Sequence, residues 1–364
     1  MKVLYVDLER EWRGGQSQAL LTVTGLRALG HDAQLLSVRD SPLARRAKAA
    51  GVPVHVVGRK ARRAGSALLL RKLLSEQKFD VLHANEPHAL TSAWLARAQR
   101  IVPVLVSRRV AYPLSRSGLA RMRYQAAQCI VAISHFVEKS VLESGMPAEK
   151  VAVVYDGVEV PPLPTPEARR QARQRWGATG EDRLLGCIGY LLPEKGQEIA
   201  IRALATLQAK IPGARLLLAG DGPCRRPLQA LVRQQGLQDA VIFAGFVEDV
   251  SQVYAALDVF VFPSLAEPLG TSLLAAMAWG LPVVAVAIGG LPEYVKDGEN
   301  GLLVAQPDPE LFSAEIRRLL NDETFGTALG QKARSTIAER FSVHCMVENT
   351  IHVYEDVLRK KHAG

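Results

Sequence analysis

A chain of 364 residues exceeds the roughly 250–300 that one hydrophobic core serves, so two domains are expected. Its 48% hydrophobic and 22% charged content excludes long disordered tracts, and no apolar run approaches the roughly 18 residues of a membrane span. The formal charge of +9 is unevenly distributed: residues 1–160 hold 24 Lys and Arg against 13 Asp and Glu, residues 161–364 hold 21 against 23.

The first half alternates short apolar runs with amphipathic stretches. KVLYVDL (2–8) reads as a strand and Gln16 to Leu29 as a helix, with Gly14 and Gly15 between them. Bare backbone there suits either an anion at the helix N-terminus or a plain tight turn. DAQLLSV, a helix near 42–50, VPVHVV and a helix near 66–77 follow, then the strand VLHA (81–84) and a helix from His88. Polar side chains at the carboxyl end of a parallel strand point at a ligand cleft, which makes His83 and His88 candidates, with Asn85 and Glu86 between them. VPVLVSR places Arg108 and Arg109 at the next strand end, as anion contacts or as surface arginines. A helix near 117–127, CIVAIS, a helix to Ser144 and VAVVYD complete a parallel sheet covered on both faces. The stretch DGVEVPPLPTPEARRQARQRWG, with four prolines between 161 and 166, is expected to be the interdomain linker.

The second half repeats this architecture from LLGCIG (184–189) through ARLLLAG, VIFAG, VFVFPS and PVVAVA to LLVA (302–305). The expected domains are therefore 1–160 and 161–342, two doubly wound sheets facing across a cleft. A last helix, 343–361, carries Val347, Ile351, Tyr354 and Leu358 on one face and needs a partner. Lys195 sits beside Gly196 at a helix start, where the macrodipole disfavours a cation; a bound anion accounts for it, as does a lysine turned to solvent. Glu267 follows a strand and precedes Gly270, Thr271 and Ser272. The two amides suit a phosphate and the carboxylate a polyol hydroxyl.

Cys129, Cys187, Cys224 and Cys345 lack C-x-x-C spacing and read as reduced core thiols. No D-x-D, H-E-x-x-H or paired C-x-x-C occurs, so no metal site is expected. The basic first half favours an anionic partner: nucleic acid, an anionic membrane surface or a phosphorylated acceptor, against the plain alternative of a solvated face. Basic segments without interleaved aromatics rank nucleic acid last. MKVLYVDLEREW does not read as a signal peptide, so the expected location is cytoplasmic, at most peripheral on the inner membrane face.

Taken together, RGGQSQALL, FDVLHANEPHAL, AISHFVEKSVLESGMPAEKVAVVYDGVE, GYLLPEKG, LLLAGDGP, FAGFVEDVSQVYAALDVFVFPS, AEPLGTSLLAAMAWGLPVVA and IGGLPEYVKDGENGLLVA resemble the retaining glycosyltransferases of family 4 over nearly the whole chain. The resemblance implies the α/β GT-B fold of two Rossmann-like domains, a nucleotide-diphosphate sugar donor held mainly by the second domain, an acceptor on the first, and no metal. It implies that Lys195 contacts the donor diphosphate, that Glu267 with Gly270, Thr271 and Ser272 contacts sugar and phosphate, and that Gly14 and Gly15 lie near the phosphates and acceptor. His83 and His88 fall in the family's sugar-facing histidine segment, and the family's final helix, matched by 343–361, crosses back to the first domain. Three positions depart from the pattern. The second carboxylate of E-x7-E, which binds the ribose, is Ala275; the arginine that partners Lys195 is Tyr190; and the second histidine of H-x-H is Asn85. The expected activity is transfer with retention to a cell-envelope glycan or glycolipid, such as a lipopolysaccharide core. The rivals are a weakly active or inactive relative that binds a sugar nucleotide or a partner, and an epimerase or phosphorylase on the same fold.

Overall fold

Strand β1, Lys2–Asp7, is buried along its last five residues. A strand apolar on both faces must be covered on both, which is the parallel, helix-flanked arrangement. The computed structural model describes residues 1–59, 62–114 and 118–363. After β1 come α1 (Gly14–Ala28), β2 (Asp32–Val38), α2 (Pro42–Ala49), β3 (Val54–Val57), α3 (Arg62–Glu76), β4 (Val81–Ala84), α4 (Pro87–Leu95), β5 (Val104–Arg108), α5 (Gly118–Ala126), β6 (Cys129–Ala132), α6 (His135–Glu143) and β7 (Val151–Val153). The helix expected from 117 begins, within the described residues, at Gly118. All pairings are parallel, in the order β3-β2-β1-β4-β5-β6-β7.

A second sheet is built from β8 (Arg183–Ile188), β9 (Ala214–Ala219), β10 (Val241–Gly245), β11 (Val259–Phe262), β12 (Val283–Val286) and β13 (Leu302–Val304). Its order is β10-β9-β8-β11-β12-β13. Its helices are α7 (Pro166–Arg175), α8 (Gln197–Gln208), α9 (Arg225–Gln234), α10 (Ser251–Tyr254), α11 (Thr271–Ala278), α12 (Pro309–Asn321) and α13 (Glu323–Arg340). The last helix, α14 (Val343–Ala363), belongs to the first unit: the chain separates into Met1–Gly157 with Val343–Gly364, and Val158–Ser342. Among the described residues no helix is long and apolar enough to cross a membrane.

The proline-rich stretch is not only a linker. Its final proline, Pro166, is the first residue of α7, and the Thr165 side chain accepts the Ala168 amide. Proline fits that position because its missing N–H has no intrahelical partner there and its φ is already helical. The same device, a capping oxygen followed by proline, opens α2 at Ser41-Pro42, α4 at Glu86-Pro87 and α12 at Asp308-Pro309. Arg169 and Arg173 of α7 pair with Asp258, which ties this helix into the second unit.

Right-handed crossovers in the first unit place α1 and α2 on one face of the sheet and α3 to α6 on the other. The α1 face over β4, β5 and β6 would be bare without α14. Met346, Val347, Tyr354 and Val357 of that helix fill it, in one core with Val81, Leu105, Cys129 and Val131.

Candidate functional site

In each unit the strand order reverses once, between β8 and β11 and between β1 and β4. Open parallel sheets take ligands outside the carboxyl ends of the strands at such a point. The predicted residues gather at both places, His83 and Arg108 excepted.

In the second unit, the turn Pro193–Lys195 follows β8 and ends at Gly196, the N-cap of α8. Glu267 follows β11 and is only 8% exposed. Lys195 Nζ donates to Glu267 Oε2 at 2.6 Å, and Ser264 Oγ donates to the same oxygen at 3.2 Å. Two glycines make this approach possible. A Cβ on Gly196 (φ +65°) would lie 2.0 Å from the Pro263 carbonyl oxygen, and one on Gly289 (φ +60°) 1.9 Å from the Glu267 carbonyl oxygen. Only glycine gives the left-handed backbone and the missing atom together. The loops after β8 and β12 therefore clamp the loop after β11, and the Gly290 amide donates to the Glu267 carbonyl at 3.1 Å.

Gly270 is the N-cap of α11, and the Tyr294 hydroxyl braces this turn by donating to the Leu269 carbonyl at 2.7 Å. Among the described residues the Thr271 and Ser272 amides have no hydrogen-bond acceptor. Ala275, one turn further along α11, is half-buried and presents a methyl group, while Tyr190 stands 53% exposed after β8. A lysine ammonium, two open amides and a carboxylate fixed side by side suit a phosphorylated polyol: donors for phosphate oxygens, an acceptor for hydroxyls.

In the first unit, Gly14 and Gly15 are the opening residues of α1, and neither has a positive φ, so left-handed backbone does not account for them. Asn85 is the hub of this site. Its Nδ2 donates to Asp7 Oδ2 at 2.7 Å and to the Gly15 carbonyl at 3.1 Å; its Oδ1 accepts from Tyr5 at 2.9 Å and from Arg109 Nη1 at 2.6 Å. All four hydrogen-bonding positions of the amide are used. Gln16 adds a second bond to Asp7 Oδ2 at 3.0 Å, and burial raises the Asp7 carboxyl above its ordinary range.

His88 opens outward beside this network. Its Nδ1 lies 2.8 Å from Arg63 and its Nε2 3.6 Å from Glu9. Glu86 accepts the amides of Leu8, His88 and Ala89, yet burial, with the nearby Asp7 charge, pushes it up to about 7. Glu9, Glu86 and His88 bring ligand-type atoms within 4.8 Å of one another, a grouping that sequence spacing does not reveal.

Two expectations are corrected. His83 does not face a cleft: it is 2% exposed, its Nδ1 lies 2.6 Å from the Tyr354 hydroxyl and its Nε2 2.8 Å from Ser107. Burial, with Arg109 nearby, lowers it to about 3, so it is a neutral core histidine. Strand residues alternate between faces, and position 83 falls on the face covered by α14. Arg108 is likewise 5% exposed, donating to the Tyr112 carbonyl and lying over the Tyr112 ring at 4.8 Å, so it braces the loop after β5. Arg109 does reach the site, 3.7 Å from a Cβ placed on Gly15, but its charge is paired with Asp156 at 3.3 Å. Asp7 and Asp156 were missed; the strand-end rule that singled out His83 applies to Asp7 equally.

Residues 168–336 match the family described as "Glycosyl transferases group 1", and residues 12–160 that described as "Glycosyltransferase Family 4". The chain is 30% identical over 282 residues to the GDP-mannose-dependent alpha-(1-6)-phosphatidylinositol monomannoside mannosyltransferase of Mycolicibacterium smegmatis, covering 73% of each. It is 30% identical to the lipopolysaccharide core biosynthesis glycosyltransferase LpsE of Rhizobium meliloti, over 76% of this chain and 78% of that protein. Its fold is similar to that of Anabaena Alr3699/HepE, solved in complex with UDP and glucose, at 23% identity with a TM-score of 0.86, covering 98% of this chain and 99% of that one. The chain belongs to the group 1, family 4 glycosyltransferases and is a glycosyltransferase of two parallel-sheet, Rossmann-like domains of the GT-B type.

Proposed function

We propose that the protein moves a sugar, with retention, from a nucleotide-diphosphate sugar to a cell-envelope glycan or glycolipid acceptor. The observation that carries the donor half is the Lys195–Glu267 pair beside the open Thr271 and Ser272 amides. A diphosphate on those amides takes the lysine charge, and Glu267, released from it, accepts hydroxyls of the donor sugar. Leaving-group charge then develops against fixed donors, each worth about 2.7–4 kcal/mol at comparable sites. No carboxylate here is an evident nucleophile, so the acceptor attacks from the face the diphosphate leaves, and the leaving phosphate takes the acceptor proton. Lys195 and the start of α11 carry the neutralisation that a metal supplies elsewhere.

UDP with glucose in the Anabaena structure and GDP-mannose in the mycolicibacterial enzyme support a nucleotide-sugar donor, and LpsE supports a lipopolysaccharide-type acceptor. Acceptor binding is assigned to the first unit, whose basic surface suits a phosphorylated or membrane-borne molecule on the cytoplasmic side. A second reading, a relative that binds the sugar nucleotide without turning it over, is favoured by Ala275, whose methyl cannot bond a ribose hydroxyl. The test is a thermal-shift screen across uridine, guanosine and adenosine diphosphate sugars, followed by transfer assays in EDTA. One donor class raises the melting temperature by linkage, and transfer persists with the chelator present. No stabilisation by any donor overturns the proposal, binding without transfer selects the second reading, and EDTA-sensitive transfer overturns the metal-free mechanism.

A further inference from the structure

Within the second unit, the amino ends of β8, β11 and β12, away from Lys195 and Glu267, border a cavity of about 450 Å³. That volume falls in the range of small-molecule sites, and the lining is of their kind, an apolar wall with a few converging polar groups. Leu257, Pro282 and Leu319 belong to the wall. Helix α13 supplies Thr327, Gln331 and Arg334, spaced four and three residues apart and so on one helix face, and Arg183 joins them from the start of β8.

The charges here are unevenly matched. Asp258 is taken by Arg169 at 2.6 Å and by Arg173 at 2.9 Å, two guanidinium groups on one carboxylate. Arg183 lies 3.0 Å from Glu323, whose side chain is 74% exposed, a pairing that water weakens. Arg334 meets no carboxylate among the described residues; it donates to the carbonyl of Ala278, the last residue of α11. The backbone of α13 is packed against the turn that follows, since a Cβ on Gly330 would lie 2.1 Å from the Gly280 carbonyl oxygen. Arg334 thus holds the carboxyl end of the helix whose amino end presents the Thr271 and Ser272 amides.

We propose that this cavity is an effector site for a phosphorylated polyol, and that filling it weakens donor binding at the far end of α11. The choice of occupant rests on the cavity alone, and its effect rests on the donor reading above. Arg183 and Arg334 take the phosphate, Thr327 and Gln331 take hydroxyls, and the apolar wall takes the carbon chain. A phosphate there offsets the Arg334 charge at the negative end of α11, so the helix holds a second anion at its amino end less firmly.

The full chain is titrated calorimetrically with sorbitol 6-phosphate, an open-chain ester that cannot donate a glycosyl group, and with inorganic phosphate and sorbitol for comparison. The ester binds more tightly than phosphate, and sorbitol does not bind. Arg334→Gln weakens ester binding at least about tenfold, the usual loss of a charge-assisted hydrogen bond. Gln331→Glu does the same by setting an acid against the phosphate, and its exposed position leaves the melting temperature unchanged. Lys195→Ala leaves ester binding as it is, because the ester is not in the donor site. With the ester saturating, the dissociation constant of the nucleotide sugar selected by the thermal-shift screen rises about two- to fivefold, the effect of one charge at a helix end. No ester binding, an ester held no more tightly than phosphate, or binding that both cavity variants leave intact overturns the proposal, as does binding that Lys195→Ala removes. A donor dissociation constant that stays constant on saturation overturns the effect on α11. If no nucleotide sugar binds even without the ester, the donor reading fails, while ester binding, measured with no donor present, still decides the cavity.

Discussion

Lys195 and His83 were singled out by different rules, the lysine for a helix start that disfavours a cation and the histidine for a strand end, and their outcomes differ: Lys195 lies in a loop with its ammonium against a carboxylate, and His83 lies buried within the sheet. For Lys195→Ala we expect kcat to fall about 100- to 1000-fold, the usual effect of removing one charge-stabilising donor, with the fold intact; steady-state turnover and melting curves measure both. Full turnover would remove the lysine from the mechanism. For His83 the consequence is acid sensitivity. Its folded pKa, about 3, lies below the unfolded value near 6.5, so the unfolded chain binds more protons as the pH falls. The stability it contributes is present above pH ~6.5 and is lost as pH falls toward about 3, up to about 5 kcal/mol in all. His83→Gln should flatten the fall in melting temperature between pH 7 and 4.5 relative to wild type. An unchanged pH profile would mean that His83 charges within the folded state.

At the scale of the element, α14 completes the first sheet. Four of its side chains, Met346, Val347, Tyr354 and Val357, are buried in that core, and at about 1.5–3 kcal/mol each their burial is worth about 6–12 kcal/mol. A typical domain has about 5–15 kcal/mol in total. Ending the chain at Ser342 should therefore abolish the cooperative unfolding transition of the first unit, followed by circular dichroism, while the second unit still melts. A truncated protein with both transitions unaltered would show that α14 is dispensable. The amphipathic pattern of 343–361 announced a helix in need of a partner; which surface it covers follows from the crossovers, since α1 and α2 leave half of one face open.

Across the whole molecule, the elements were largely legible and the networks were not. Short apolar runs between stretches of period 3.6 placed every strand within a few residues, because burial on both faces forces apolar runs. The helix inside the proline-rich stretch was missed because proline breaks a helix interior but starts a helix well. Asn85 was legible only as a departure from a histidine; that it joins Asp7, Gly15, Tyr5 and Arg109 depends on β1 and β4 being neighbours, and chain order does not state that. The sequence by itself determined the two alternating α/β halves, the positive first half and the candidate loops, since these depend on local pattern and composition. Only the tertiary structure decided that His83 and Arg108 are buried and that Lys195 meets Glu267 across 72 positions. Those outcomes are set by contacts between segments far apart in the chain, where side-chain direction and burial replace residue type as the deciding quantity.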